Sequence, residues 1–98
     1  MRRREGKREE REDLYNLAKL MFDPAGKEPY YLGSGAIRNL EELKVSLDSF
    51  TPEMAEWVAS WVEYLGDRKT AEDIRRAKGE FKRIIEKRYT VLRKYYTF

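Results

Sequence analysis

The sequence predicts a mostly helical α+β fold with four helices and one short β-hairpin. Three observations support this prediction. Apolar residues recur at steps of three and four along most of the chain, which is typical of helices that bury one face. Residues 29–38 instead combine adjacent aromatic residues with a glycine-containing turn, the pattern of a tight hairpin. Capping residues, prolines and glycines separate these segments at the expected places.

The first helix is predicted over residues 8–22. The run from Asp23 to Gly26 ends it, because proline disfavours a helical residue before it and glycine permits a left-handed turn. Residues 1–7 are mostly charged, so we expect a disordered tail before a single domain over residues 8–98. The residues that form the buried stripe of this helix are Leu14, Leu17, Ala18 and Met21.

Residues 29–38 are predicted as two short strands around the turn Gly33-Ser34-Gly35. An isolated hairpin is marginally stable in water, so this one must lie against helices. The alternative is an irregular loop held in place by its aromatic residues. The glycines could also suggest a phosphate-binding loop, but no Lys-Ser or Lys-Thr pair and no G-x-G-x-x-G pattern accompanies them. A hairpin turn is therefore favoured.

Two helices are predicted over residues 40–50 and 52–65. Asn39 caps the first, and Glu42 completes an arrangement like a capping box. Thr51 and Pro52 are a start signal for the second, and a glycine at position 66 suits the residue that ends it. The inward residues are Leu40, Leu43 and Leu47 in the first helix, and Met54, Trp57, Val58, Trp61, Val62 and Leu65 in the second.

The last third of the chain is predicted as one long basic helix over residues 70–96, and Thr70 is its expected N-cap. A polar Arg88 within its apolar stripe argues against a long coiled coil, because an unpaired buried charge is costly. The stripe consists of Ile74, Ala77, Phe81, Ile84, Ile85, Leu92 and Tyr95.

The chain contains neither cysteine nor histidine, which excludes disulfide bonds, thiolate metal sites and the usual general base near neutral pH. No apolar run approaches the roughly 20 residues that a membrane span needs, and no apolar segment follows the basic N-terminus as in a signal peptide. We therefore expect a soluble cytoplasmic protein without a membrane partner. The charged fraction of 40% is typical of thermophile proteins.

From about Tyr31 to Arg75 the order of motifs is an aromatic strand, a glycine, N-L-E-E-L, and a tryptophan helix that ends in W-V-E-Y-L-G-D. This order resembles a group of small uncharacterised archaeal domains built around N-L-x-E-L and W-[IV]-x-x-x-L-G-D-x-x-x-A-x-x-I. The resemblance covers slightly less than half of the chain, and its motifs are mostly caps and core positions. A His and an Asp-Phe pair that often precede the tryptophan in that group are missing here. The resemblance implies the order of elements and no activity.

Charge is segregated along the chain, and the net charge of +3 conceals this. Residues 1–11 carry six basic and three acidic side chains, residues 12–67 carry four and eleven, and residues 68–98 carry eleven and four. The three net charges are thus +3, −7 and +7. Such blocks can bind anionic partners, pair within the fold, or pair between subunits.

The acidic residues form no catalytic or metal-binding pattern. Glu53, Glu56 and Glu63 fall on one side of their predicted helix and are expected to form a solvated acidic face. General acid–base catalysis would require a buried carboxyl group with a shifted pKa, and the scattered aspartates lack the dense loop of a calcium site. We expect a protein that is not an enzyme and needs no cofactor and no metal.

Trp57 and Trp61 lie one helical turn apart on the same stripe. Tryptophan in such a stripe is usually part of the core, and we expect the core role here. The alternative is an exposed pair that stacks on bases or anchors a partner.

The basic face of the last predicted helix is the strongest candidate for a functional site. Steps of 7, 4 and 7 align four cations on one side of the helix, and three more line the opposite flank. Phosphate backbones attract such rows, and the C-terminal tyrosines could stack on unpaired bases. The tail Arg2-Arg3-Arg4 could contribute as well. The candidate nucleic-acid-binding residues are Arg75, Arg76, Lys78, Lys82, Arg83, Lys87, Lys94, Tyr95 and Tyr96.

The leading hypothesis is therefore a protein that binds RNA or DNA chiefly through phosphate contacts. In a competing interpretation, the same cations pair with the acidic middle of the chain or simply solvate a charged surface. The alternative function is a protein-binding or self-associating module, in which the acidic and basic faces meet across a dimer interface.

Overall fold

The computed structural model describes residues 11–32 and 35–96. Within them lie five α-helices and a two-stranded antiparallel sheet, which confirms the predicted mostly helical α+β fold. The helices are α1 (Arg11–Phe22), α2 (Leu40–Val45), α3 (Ala55–Leu65), α4 (Arg68–Arg76) and α5 (Phe81–Arg93), and the strands are β1 (Tyr30–Leu32) and β2 (Gly35–Ile37). Short 3₁₀ turns cover Leu47–Ser49, Pro52–Met54 and Lys78–Glu80.

One hydrophobic core joins the five helices and the hairpin. Helix α3 contributes the largest share of it, because α3 buries a wide stripe of mostly aliphatic side chains. Helix α4 packs chiefly on α3, and α5 packs on α1, α2 and α4. Burial of this apolar surface is the main force that holds the elements together. The stripe of α3 consists of Ala55, Val58, Ala59, Trp61, Val62 and Leu65.

Helix α1 ends where the sequence predicts. Its last turn is followed by a tight turn in which the Lys27 backbone N–H donates to the Pro24 carbonyl at 3.1 Å. Gly26 has a φ of +81°, a left-handed conformation that a side chain would disfavour. The predicted start of this helix at residue 8 and the predicted tail over residues 1–7 lie outside the described residues.

The hairpin prediction is confirmed, since β1 and β2 pair antiparallel with Tyr30 opposite Ile37. The Tyr30 ring lies 5.9 Å from the rings of both Phe50 and Trp61, measured between centroids. The indole Nε1–H of Trp61 donates to the Glu28 carbonyl at 3.1 Å. These contacts hold the hairpin against α3, as the marginal stability of an isolated hairpin requires.

Helix α2 begins as predicted and ends earlier than predicted. The Asn39 side chain accepts from the Glu42 backbone N–H at 2.9 Å, and the Glu42 carboxylate accepts from the Arg38 backbone N–H at 2.8 Å. The remainder of the predicted helix is a 3₁₀ turn. Side chains three residues apart eclipse in such a turn, and this geometry places both Leu47 and Phe50 in the core.

The single helix predicted over residues 70–96 is wrong, because the chain forms two helices there. Ala77 leaves helical geometry, with φ −141° and ψ 68°, and a 3₁₀ turn follows it. Gly79 lies in that turn, and glycine costs about 1 kcal/mol relative to alanine in a helix. The break lets α4 lie along α3, while α5 changes direction, buries Phe81 and contacts α1 and α2.

The predicted N-cap at Thr70 is also wrong. Gly66, with a φ of +132°, ends α3, and Asp67 then caps α4 by accepting from the Thr70 backbone N–H at 3.2 Å. The Asp67 carboxylate also accepts from the Arg88 side chain of α5, at 2.8 Å from Nε and 3.0 Å from Nη2. The Asp67 side chain is 1% exposed and that of Arg88 is 10% exposed, so the polar residue in the predicted stripe is buried with a partner.

Candidate nucleic-acid interface

Two predicted cations, Arg75 on α4 and Lys78 in the 3₁₀ turn after it, face the acidic residues of α3. The Arg75 guanidinium lies 3.0 Å from the Glu56 carboxylate and 2.9 Å from the Glu63 carboxylate. The Lys78 ammonium lies 3.6 Å from the same Glu56 carboxylate. The hydrogen bond from Arg75 holds the pKa of Glu56 below its usual value, and Lys78 adds to this effect. The charges of Arg75 and Lys78 are therefore largely matched within the fold.

The outward face of α4 carries three charged groups in one line. The Asp73 carboxylate lies 3.3 Å from the Lys69 ammonium and 3.4 Å from the Arg76 guanidinium. Exposed pairs of this kind contribute at most about 1 kcal/mol and are easily exchanged for other partners. Two cations share one carboxylate here, so this face keeps a positive excess. Lys69 is not among the candidates from the sequence, although its spacing of four from Asp73 and seven from Arg76 places it on the same face.

The outward face of α5 carries a row of exposed cations. We call Arg83, Lys87 and Lys94 the outer α5 row. Arg83 lies 3.2 Å from Glu80, with its side chain 71% exposed. Lys87 and Lys94 are exposed and form no ion pair with any residue in the described ranges. Lys82 is half-buried on a different flank, so the structure separates it from the row.

The C-terminal tyrosines pack against the core. The Tyr96 ring stacks on Phe22 at 5.2 Å between centroids, and Tyr89 meets the same ring edge-on at 5.7 Å. Tyr95 is also half-buried against the core. The Tyr89 hydroxyl donates to Glu41 at 2.7 Å, which raises the pKa of this tyrosine. Tyr95 and Tyr96 thus belong to the packing of the C-terminal residues on the core. The predicted tail Arg2-Arg3-Arg4 lies outside the described residues.

The two tryptophans have different environments. Trp61 is 6% exposed and belongs to the core, whereas Trp57 is 62% exposed. Tyr64, two turns further along α3 on the same side, is 44% exposed. The expectation of a core pair thus holds for Trp61 and fails for Trp57. A helical projection could have indicated this, because Trp57 lies at the margin of the apolar stripe, beside Glu53.

The acidic side chains that could serve in catalysis or metal binding either pair with basic side chains or lie far from one another. Glu56 and Glu63 pair with α4, Glu42 lies 3.7 Å from Arg38, and Asp67 pairs with Arg88. Within residues 11–32 and 35–96, no group of three or more metal-ligating side chains comes together. In the same ranges, no helix is both long and apolar enough to cross a membrane.

Comparison of the chain with protein-family models, with curated proteins and with solved structures gives no match.

Proposed function

We propose that this protein binds RNA or DNA through phosphate contacts made by the outer α5 row and the neighbouring outward face of α4. The observation that carries the proposal is that Lys87 and Lys94 are exposed on one line of α5 and lack an acidic partner among the described residues. A cation without an intramolecular partner can neutralise a phosphate without first breaking an ion pair.

The dimensions of the row suit a nucleic-acid backbone. At about 1.5 Å per residue, the eleven steps from Arg83 to Lys94 span roughly 16 Å. A single strand of B-form DNA places one phosphate about every 3.4 Å of helix axis, so three side chains along this distance can each meet a different phosphate. Lys69 and Arg76 on α4 extend the cationic surface sideways.

The proposed site is smaller than the set of candidates from the sequence. Arg75 and Lys78 are excluded from it because the acidic residues of α3 already hold their charges. Tyr95 and Tyr96 are excluded because their rings pack on the core, which leaves phosphate contacts as the main interaction. Binding by such contacts depends steeply on salt and weakly on base sequence.

The experiment that tests the proposal compares two double charge reversals. Arg83→Glu with Lys87→Glu removes two cations of the row, and Lys19→Glu with Arg38→Glu removes two exposed cations on other elements. Each pair of substitutions changes the net charge from +3 to −1, since each reversal subtracts two. Fluorescence anisotropy with labelled random-sequence RNA and duplex DNA, at low salt, measures the affinity.

We expect the substitutions in the row to weaken binding by at least tenfold more than the matched pair. Circular dichroism of both variants checks that the fold is intact. Equal losses in the two variants would mean that only net charge matters, and an unchanged affinity in the variant of the row would refute the assignment to α5.

A second candidate function is a protein-interaction module, and the exposure of Trp57 favours it. Tryptophan and tyrosine are the residues that most often dominate the energy of protein interfaces. The acidic and basic faces pair within one chain here, so an interface centred on Trp57 and Tyr64 would depend little on salt. Sedimentation velocity of the wild type and of Trp57→Ala at increasing concentration tests self-association. A strictly monomeric wild type would exclude it.

A further inference from the structure

An open groove runs between α4 and α5, and its walls carry opposing lysines. Lys69 and Asp73 stand on the α4 wall, and Lys87 stands on the α5 wall. Ile84 and Val91, about one turn before and after Lys87 on α5, supply apolar lining.

The charges around this groove leave a net positive excess. Asp73 is shared between Lys69 at 3.3 Å and Arg76 at 3.4 Å. Arg88 also lines the groove, but its guanidinium is held by the buried carboxylate of Asp67. Lys87 remains without an acidic partner among the described residues. An anion that enters the groove therefore meets one uncommitted ammonium group, and a second whose pairing is exposed and weak.

We propose that this groove is a subsite for one phosphate group, which Lys69 and Lys87 bind together from opposite walls. A phosphate that carries a sugar also places an apolar surface next to its charge, and Ile84 with Val91 offers the matching surface. This inference rests on the proposed function, because the backbone of a bound nucleic acid supplies such a sugar phosphate. A free phosphate compound has the same chemistry, and the experiment separates the two sources.

The first measurement is a double-mutant cycle in duplex DNA and RNA binding. Lys69→Ala and Lys87→Ala are made singly and together. Lys94→Ala, at the residue directly after α5 and outside the groove, serves as the matched control. If two lysines hold one phosphate, the second substitution costs less after the first, so the double variant loses less than the product of the single losses. The pair of Lys69 and Lys94 should instead give independent losses.

The second measurement titrates the 98-residue chain with inorganic phosphate and follows its backbone amide resonances by NMR. We expect saturable shifts at Thr70 and Val91, which line the groove. Lys87→Ala should weaken this binding by about tenfold, as expected for a lost hydrogen bond to a charged group. Lys19→Ala, on α1 outside both the groove and the outer α5 row, should leave it unchanged.

Each outcome decides a different point. If the wild type binds nucleic acid and the affinity losses of Lys69→Ala and Lys87→Ala are independent, the subsite is overturned and the proposed function stands. Saturable phosphate shifts without any nucleic-acid binding reject the proposed function and assign the groove to a free phosphate compound. If the protein binds neither nucleic acid nor phosphate, both proposals are overturned.

Discussion

Asp67 has two partners that belong to different helices. Its carboxylate caps α4 through the Thr70 backbone N–H and also binds the guanidinium of Arg88 in α5. With 1% of its side chain exposed, this carboxylate is removed from water, and these partners supply the hydrogen bonds that water would otherwise provide. The pair thus fixes where α4 begins and how α5 lies against it.

Replacement of Arg88 by methionine should therefore destabilise the protein strongly. It leaves a buried carboxylate without its charged partner, which typically costs about 3–5 kcal/mol of unfolding free energy. Urea denaturation measures the loss. Arg83→Met is the matched control, because it removes an arginine from the same helix whose pair with Glu80 is exposed and contributes less than about 1 kcal/mol. Similar losses in the two variants would contradict this account of the buried pair.

Some single residues could be assigned from the sequence and others could not. The cap at Asn39 was predictable because capping depends on residues only three positions apart. The partner of Arg88 was not, since it lies 21 positions away and the contact exists only after α4 and α5 have packed. Trp57 and Trp61 share one spacing, but Trp57 lies at the margin of the apolar stripe, whereas Trp61 packs under the hairpin.

At the level of elements, the boundaries that glycine and proline set were predictable. Gly66 and the turn after Phe22 end their helices as expected, because these residues act through local backbone geometry. The division of the last third was not predictable from apolar spacing, which continues across Ala77 without a change of period. Packing on two different sets of partners imposes that division.

Gly66 and Gly79 should respond in opposite ways to substitution by alanine. A Cβ atom at Gly66 would lie 3.0 Å from Leu20 Cδ1, and its φ of +132° is strained for any residue with a side chain. We expect Gly66→Ala to lower the unfolding free energy by about 1–3 kcal/mol.

A Cβ atom at Gly79 meets nothing within 4 Å, and its backbone is not left-handed. We expect Gly79→Ala to be neutral or to stabilise by up to about 1 kcal/mol, because alanine restricts the unfolded chain and favours helical geometry. Thermal unfolding followed by circular dichroism measures both variants. A loss at Gly79 as large as that at Gly66 would show that the turn after α4 requires glycine.

At the level of the whole molecule, the fold neutralises part of the charge that the sequence segregates. The acidic residues of α3 face the basic flank of α4, so two of the seven candidate cations are paired across helices. The sequence could indicate that the acidic and basic blocks pair within the fold. It could not predict which cations remain without an acidic partner. That depends on the turn at residues 77–80, which sets the direction in which α5 presents its outer row.

The salt dependence of nucleic-acid binding tests the central claim most directly. The logarithm of the association constant of duplex DNA falls linearly with the logarithm of salt concentration, with a slope of about −0.9 for each phosphate neutralised. Three cations of the outer α5 row and two of α4, each neutralising one phosphate, predict a wild-type slope of roughly −4.5. The double variant Arg83→Glu with Lys87→Glu should lower its magnitude by about 2, and Lys19→Glu with Arg38→Glu should leave it unchanged. An equal slope in all three proteins, or no binding at low salt, would contradict the assignment of this surface.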